Sequence, residues 1–280
     1  MNLGVINSAF EQTGHSTDTG LQHIKDIGFD TCDIFTDPTW EKPEEIELIK
    51  STADCLNLPI KSVCCVAVGL VDINPVVRRF HVDRVNKYLD MVKHFNAENL
   101  LLVLGEYIWD KQVIPPDQQW EWGVEGLRTV GQHAAEQGVE IVMELEPFPM
   151  GLLNDVPKTI RFLDDVNHPA VRANCDISHM VLSHTGPDGV RELGKYLGHV
   201  HISDCDGKVH GDLPPGRGVI DFGPYLKAIK DTGFDGTISL ELEYAPDPAK
   251  IVDWVKEAYN ATDRLMIEAG MTRPKTTGSA

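Results

Sequence analysis

Four segments in the C-terminal half of this 280-residue chain alternate between apolar and chemically capable side chains. In residues 236–243, Ile238, Leu240 and Leu242 share one face of an extended strand, and Ser239, Glu241 and Glu243 share the other. Residues 139–146 set Ile141, Met143 and Leu145 against Val142, Glu144 and Glu146. Residues 171–176 set Val171, Ala173 and Cys175 against Arg172, Asn174 and Asp176. Residues 199–203 set Val200 and Ile202 against His199, His201 and Ser203. One such strand alone reads as a sheet edge with a solvated acidic face. Four in succession bring Glu144, Asp176, His201 and Glu241 to a common face. Burying such a cluster without a cation would be costly, so the pattern reads as a site for one divalent ion. Three carboxylates and an imidazole form a hard, oxygen-rich donor set. Mn2+ is the expected ion, with Mg2+, Co2+ or Zn2+ as alternatives.

These strands need a scaffold that aligns their ends. Strand-like and helix-like segments alternate along the whole chain. Strands are expected at 3–6, 30–35, 60–66 and 99–104, with helices at 17–27, 43–56, 74–95 and 117–137 between them. Gly28 and Gly138 stand as helix stops, and Asn74-Pro75 as a helix start. The four site strands follow, separated by helices near 156–166, 189–197 and 224–231, and a last helix covers 249–269. Eight strand–helix units in one chain of this length predict the α/β class and a single (β/α)8 TIM barrel over residues 1–271. Residues 272–280 read as a flexible polar tail. In such a barrel the inward strand face fills the centre and catalytic groups sit at the C-terminal strand ends, where the four ligands fall.

Composition narrows the setting. A formal net charge of −18 argues against nucleic acid and anionic membrane surfaces as partners. No apolar run is long enough to span a bilayer, and the first residues carry no basic leader. Six cysteines without CxxC spacing, four of them (Cys32, Cys64, Cys65 and Cys175) in apolar strand segments, read as reduced thiols. The expectation is a cytoplasmic protein with a small-molecule partner.

The stretches GVEIVME at 138–144, CDISHM at 175–180, HVHISD at 199–204 and FDGTISLE at 234–241 resemble the xylose-isomerase-like family of sugar isomerases and epimerases. Among its members the chain looks closest to the ketose 3-epimerase and inosose-processing branch, and the likeness covers essentially the whole chain. The resemblance implies one divalent ion held by Glu144, Asp176, His201 and Glu241, with Glu144 and Glu241 as the acid–base pair and His179 on the substrate. It also implies a homo-oligomer. The expected activity is isomerisation or epimerisation of a non-phosphorylated ketose, keto-sugar or cyclitol ketone by proton transfer through an enediolate. The alternative is a lyase, either an inosose-type dehydratase or an enzyme that eliminates from a 3-keto-glycoside.

Glu146 and Glu243 share the parity of the ligands one step nearer the mouth, and the register counted from Gly138 and Gly236 leaves them as substrate-binding or supporting acids. His199, one step deeper than His201, reads as a core or supporting histidine. The connection 204–221 is long for a strand-to-helix loop and holds two further candidates for substrate binding, His210 and Arg217. The ketose 3-epimerases place an Arg soon after the strand-seven His, where this chain has Cys205-Asp206-Gly207-Lys208, a departure from the simple ketohexose pattern. Glu106, Trp109 and Trp40 are weaker candidates near the mouth. A repair endonuclease of the same barrel family would draw His ligands from strands two and three, which here contain none.

Overall fold

The computed structural model describes residues 1–104 and 114–274. Eight parallel strands close in sequential order into one barrel: β1 (Asn2–Ile6), β2 (Thr31–Phe35), β3 (Ile60–Val66), β4 (Asn99–Val103), β5 (Glu140–Met143), β6 (Val171–Asp176), β7 (Leu197–Ile202) and β8 (Thr237–Leu240). The helices are α1 (Ser8–Glu11), α2 (Thr17–Ile27), α3 (Pro43–Leu56), α4 (Pro75–His94), α5 (Pro116–Gln137), α6 (Val156–Val166), α7 (Ile177–Leu182), α8 (Pro187–Leu193), α9 (Phe222–Asp231) and α10 (Ile251–Glu268). The expected barrel is the observed one. Among the described residues no helix is long and apolar enough to cross a membrane.

Local chemistry sets the helix ends. The Asn74 side chain accepts the Val76 N–H at 2.9 Å and opens α4. Gly138, at φ +71°, closes α5 in a left-handed turn that delivers the chain into β5. Two short helices escape a periodicity reading, α1 and α7, each following directly on a strand. In α7 the cap is Asp176 itself, whose carboxylate accepts the His179 N–H at 2.8 Å.

The strand faces divide as the alternation requires. Outward residues such as Val5, Ile34, Leu102, Met143, Cys175, Ile202 and Leu240 are buried against the helices in one continuous apolar layer. Inward, a small apolar cluster of Ile6, Cys64, Leu101, Val103 and Val142 fills part of the lumen. The remaining inward positions are polar, among them Thr31, Asp33, Ser62, Asn99, Asn174, His199, His201 and Ser239, all buried. Gly4 sits in this layer because a Cβ there would lie 2.6 Å from Ser239 Oγ and 2.7 Å from Thr31 Oγ1. Gly4→Ala is expected to destabilise the fold by about 1–3 kcal/mol through overpacking, read as a lower midpoint in urea unfolding.

The six cysteines form no disulfide; Cys55 is exposed and the other five are buried. Burial pushes Cys65 up to about 12 and Cys64 and Cys175 well above the usual thiol range, so these side chains stay protonated. The start of the expected tail is anchored. Arg273 reaches Asp30 Oδ2 at 2.8 Å, Asp263 Oδ1 at 2.5 Å, Tyr259 Oη at 3.0 Å and the Gly28 carbonyl at 3.1 Å. A half-buried guanidinium with that many acceptors holds this segment to α10 and the α2–β2 turn. Residues 275–280 lie outside the described residues.

Candidate active site

The C-terminal ends of β5 to β8 converge on one buried cluster. Glu144 continues the β5 register, its N–H bonded to the Leu102 carbonyl at 3.0 Å, and Glu241 continues β8, its N–H bonded to the Ile202 carbonyl at 3.3 Å. Asn174 Nδ2 donates to Glu144 Oε2 at 2.6 Å and orients that carboxylate. Asp176 Oδ1 accepts from Ser178 Oγ and the His179 N–H, both at 2.8 Å, which leaves Oδ2 for another partner. His201 Nδ1 lies 3.3 Å from Glu241 Oε2 and 4.0 Å from Glu144 Oε2.

Among the described residues, buried atoms of each of these side chains have no hydrogen-bond partner: Glu144 Oε1, Asp176 Oδ2, both ring nitrogens of His201, and Glu241 Oε2. Ligand atoms of Asp176, His201 and Glu241 lie within 4.8 Å of one another. Four converging, unpaired oxygen and nitrogen donors in a buried pocket fit a divalent cation. The four residues expected from the sequence are therefore brought together.

Beneath them the expected supporting histidine, His199, pairs with an aspartate the sequence reading passed over. Asp33 on β2 accepts from His199 Nε2 at 2.9 Å and from the Ser62 N–H at 3.1 Å, and its Oδ2 is 3.9 Å from His201 Nε2. Asp33 thus stands behind the imidazole whose Nδ1 faces the carboxylates. Its inward parity, opposite Cys32 and Ile34, was the available signal.

Above the cluster, His179 Nδ1 donates to the Leu145 carbonyl at 2.7 Å and its Nε2 meets His210 Nε2 at 2.5 Å. His210 Nδ1 is 3.5 Å from Asp212 Oδ2. Glu146 is buried and Glu243 half-buried, one step outward from Glu144 and Glu241 as the parity requires. Arg217 is not part of this group. It grips Glu257 on α10 through two bonds of 2.7 and 2.8 Å and stacks 4.4 Å over the Trp254 ring. Trp40 is 81% exposed, and Glu106 and Trp109 lie outside the described residues.

The sequence model of the xylose isomerase-like TIM barrel family matches residues 21–262. The chain belongs to that family. A D-psicose 3-epimerase of Ruminiclostridium cellulolyticum is 26% identical over 231 residues, covering 79% of this chain and 76% of that protein. The L-ribulose-5-phosphate 3-epimerase UlaE of Escherichia coli is 25% identical over 256 residues, covering 84% and 87%. A crystal structure of a D-psicose 3-epimerase in the presence of D-fructose superposes with a TM-score of 0.83 at 19% identity, covering 96% of this chain and 100% of that one. This member of the xylose isomerase-like family is an enzyme of the isomerase and epimerase class.

Electrostatics in this family member separates the two glutamates' surroundings. Burial pushes Glu241 well above the usual carboxylate range, and the charges of Asp176, Glu144 and Glu243 push the same way against His179. Burial would also raise Asp176, but His179, His201 and the donors at its cap outweigh it and hold Asp176 below that range. Burial opposes charge on His179, yet Asp176, Glu144 and Glu146 hold its proton to a pH well above the usual imidazole value. Burial lowers His210, with the His179 charge adding to it, and burial with the charges of Glu241 and Asp176 pushes Asp212 up to about 9.

A raised Glu241 means that the cation-free protein binds a proton there more tightly than the unfolded chain does. Its stability therefore falls as pH climbs from the ordinary value of 4.5 toward the folded value. A cation requires the carboxylate and expels that proton, so its affinity rises over the same range. Calorimetric titration with Mn2+ in two buffers of different ionisation enthalpy is expected to show proton release. The cation-induced rise in melting temperature is expected to grow with pH.

Proposed function

We propose that the protein is a divalent-cation-dependent epimerase of a non-phosphorylated ketose, keto-sugar or cyclitol ketone. The observation that carries the reading is the pairing of Glu144 and Glu241 about His201 Nδ1, in surroundings that treat the two carboxyls differently. Asn174 donates to Glu144 and fixes that carboxylate, whereas Glu241 stands among the like charges of Asp176, Glu144 and Glu243. A cation on Glu144, Asp176, His201 and Glu241 would supply the Lewis acidity that makes the C–H beside a ketone acidic. Glu144 then accepts the carbon-bound proton, leaving a planar enediolate. Glu241, a carboxylate while a cation is bound, would relay a solvent-derived proton to the opposite face, Glu144 would release its proton to solvent, and the stereocentre inverts with no change in mass.

His179 and His210 present imidazole nitrogens on the substrate side, and Glu146 and Glu243 lie at the rim. The loop after β8 carries Glu243 and Asp247, which would repel a phosphate. That supports a neutral substrate, as for the psicose relative rather than the ribulose-phosphate one.

The test incubates Mn2+-loaded protein with a panel of ketoses, inososes and 3-keto-glycosides in D2O. One deuterium gained beside the carbonyl, with mass otherwise conserved and an inverted centre by NMR, is the expected result. Loss of water or aglycone would assign a lyase instead. No exchange with any member of the panel, from protein shown to hold its cation, would overturn proton transfer on these substrates.

A further inference from the structure

The chain leaving β7 makes an excursion and returns. The N–H of Asp204 bonds the Leu213 carbonyl at 2.7 Å, and the N–H of Leu213 bonds the Asp204 carbonyl at 2.9 Å. Three aspartates lie on this excursion and do different work. Asp204 accepts four backbone N–H groups and Asp206 accepts two, as loop-fastening carboxylates do. Asp212 has no exposure at all and accepts no backbone N–H among the hydrogen bonds of the described residues. Its Oδ1 accepts from Ser203 Oγ at 3.2 Å, and its Oδ2 has no hydrogen-bond partner among the described residues but faces His210 Nδ1 at 3.5 Å. A carboxyl with neither solvent nor turn to satisfy it is expensive to keep, and the ring it faces is the one that meets His179 above the ligand cluster.

We propose that Asp212 is a positioning residue that fixes the orientation and tautomer of His210. With an oxygen of Asp212 facing Nδ1, the proton of a neutral His210 sits on Nδ1, and Nε2 turns its lone pair to His179 Nε2. His210 Nε2 then accepts the Nε2–H of His179, so Asp212 acts through His210 to hold the ring that stands over the ligand cluster on the substrate side. This deepens the epimerase reading and rests on it for the identity of the substrate, but the tautomer does not.

The first measurement is therefore independent of turnover. Long-range 1H–15N spectra of the cation-free, 15N-histidine-labelled protein are expected to show His210, identified by its loss in His210→Ala, as the Nδ1–H tautomer. Asp212→Asn, which keeps an oxygen acceptor, retains it, and Asp212→Ala shifts it toward Nε2–H. Because Asp212 sits at φ +40°, Asp212→Gly is the second variant, free of the strain that Ala would meet there. On the best ketose of the panel, Asp212→Ala or Asp212→Gly is expected to raise KM about tenfold, the size of one lost hydrogen bond, with Asp212→Asn close to wild type. The same change in a His210→Ala background is expected to add little. An unaltered His210 tautomer in Asp212→Ala and Asp212→Gly, or losses that multiply in the double variant, would overturn the proposal. If no ketose turns over, the spectra alone decide it, and the failure belongs to the epimerase reading.

Discussion

Glu241→Gln is expected to lower the rate of proton exchange at the substrate carbon by about 10^3-fold while leaving the cation-free fold at least as stable as wild type. The two effects have opposite signs for one reason. Glutamine has the volume of glutamate, so the end of β8 keeps its packing. It lacks both the carboxylate that would relay a proton to the substrate carbon and the full charge that a cation needs. In the cation-free protein the half-buried Glu241 stands beside Asp176, Glu144 and Glu243, and removing an ionisable group there relieves like-charge repulsion. The relief is absent below the ordinary value of 4.5 and grows as pH rises, because only then does the unfolded chain ionise while the folded carboxyl resists. Deuterium exchange and thermal melts across pH check both halves. A residue present only to support the barrel would show the reverse, with activity kept and stability lost. Retained exchange within about tenfold of wild type would remove Glu241 from the proton-transfer pair.

How much of this was legible before folding follows from the range over which each feature is specified. Strand parity is local, so Glu144, Asp176, His201 and Glu241 could be read as one face, and the structure brings them together. Helix stops are local too, and α2, α3, β3 and β6 fall on the expected bounds. Asp33 shows the limit. Its inward parity was visible, but its meaning comes from His199, 166 residues away across the lumen. Arg217 shows the same limit from a loop. A loop arginine beside a candidate site looked available, yet α10 brings Glu257 and Trp254 to it from 40 and 37 residues further on. Arg273 was assigned to a loose tail for lack of periodicity, while its anchor is a set of acceptors on other elements. The helix α7 was missed because Asp176 was read as a ligand alone. It serves as the cap as well, one oxygen on the helix and the other turned to the cluster.

The β7–α9 loop is where sequence said least and where the second large effect is expected. Asp204 has no exposure, and its two oxygens accept the N–H groups of Cys205, Gly216 and Gly218 at 2.9 Å and of Ile220 at 3.2 Å. At Gly218 a Cβ would come within 2.2 Å of that carboxylate, so the loop backbone is wrapped directly onto it. Asp204→Ala removes one side chain and strands four donors, with an expected cost of about 3–5 kcal/mol. Asp204→Asn is expected to recover little, because its amide would set N–H groups against the N–H groups it must satisfy. Urea unfolding measures that cost, and proteolysis within residues 205–218 of the native protein is expected to quicken. Activity carries the deeper question. His210 and Asp212 hang on the segment that Asp204 fastens, and a shift of about 1 Å in such groups can cost about 10^2-fold in rate. A folded Asp204→Ala protein that keeps its cation affinity and loses about that much turnover would place the loop among the parts that handle substrate. One that unfolds earlier in urea yet turns over unchanged would confine Asp204 to the fold and detach His210 from the chemistry.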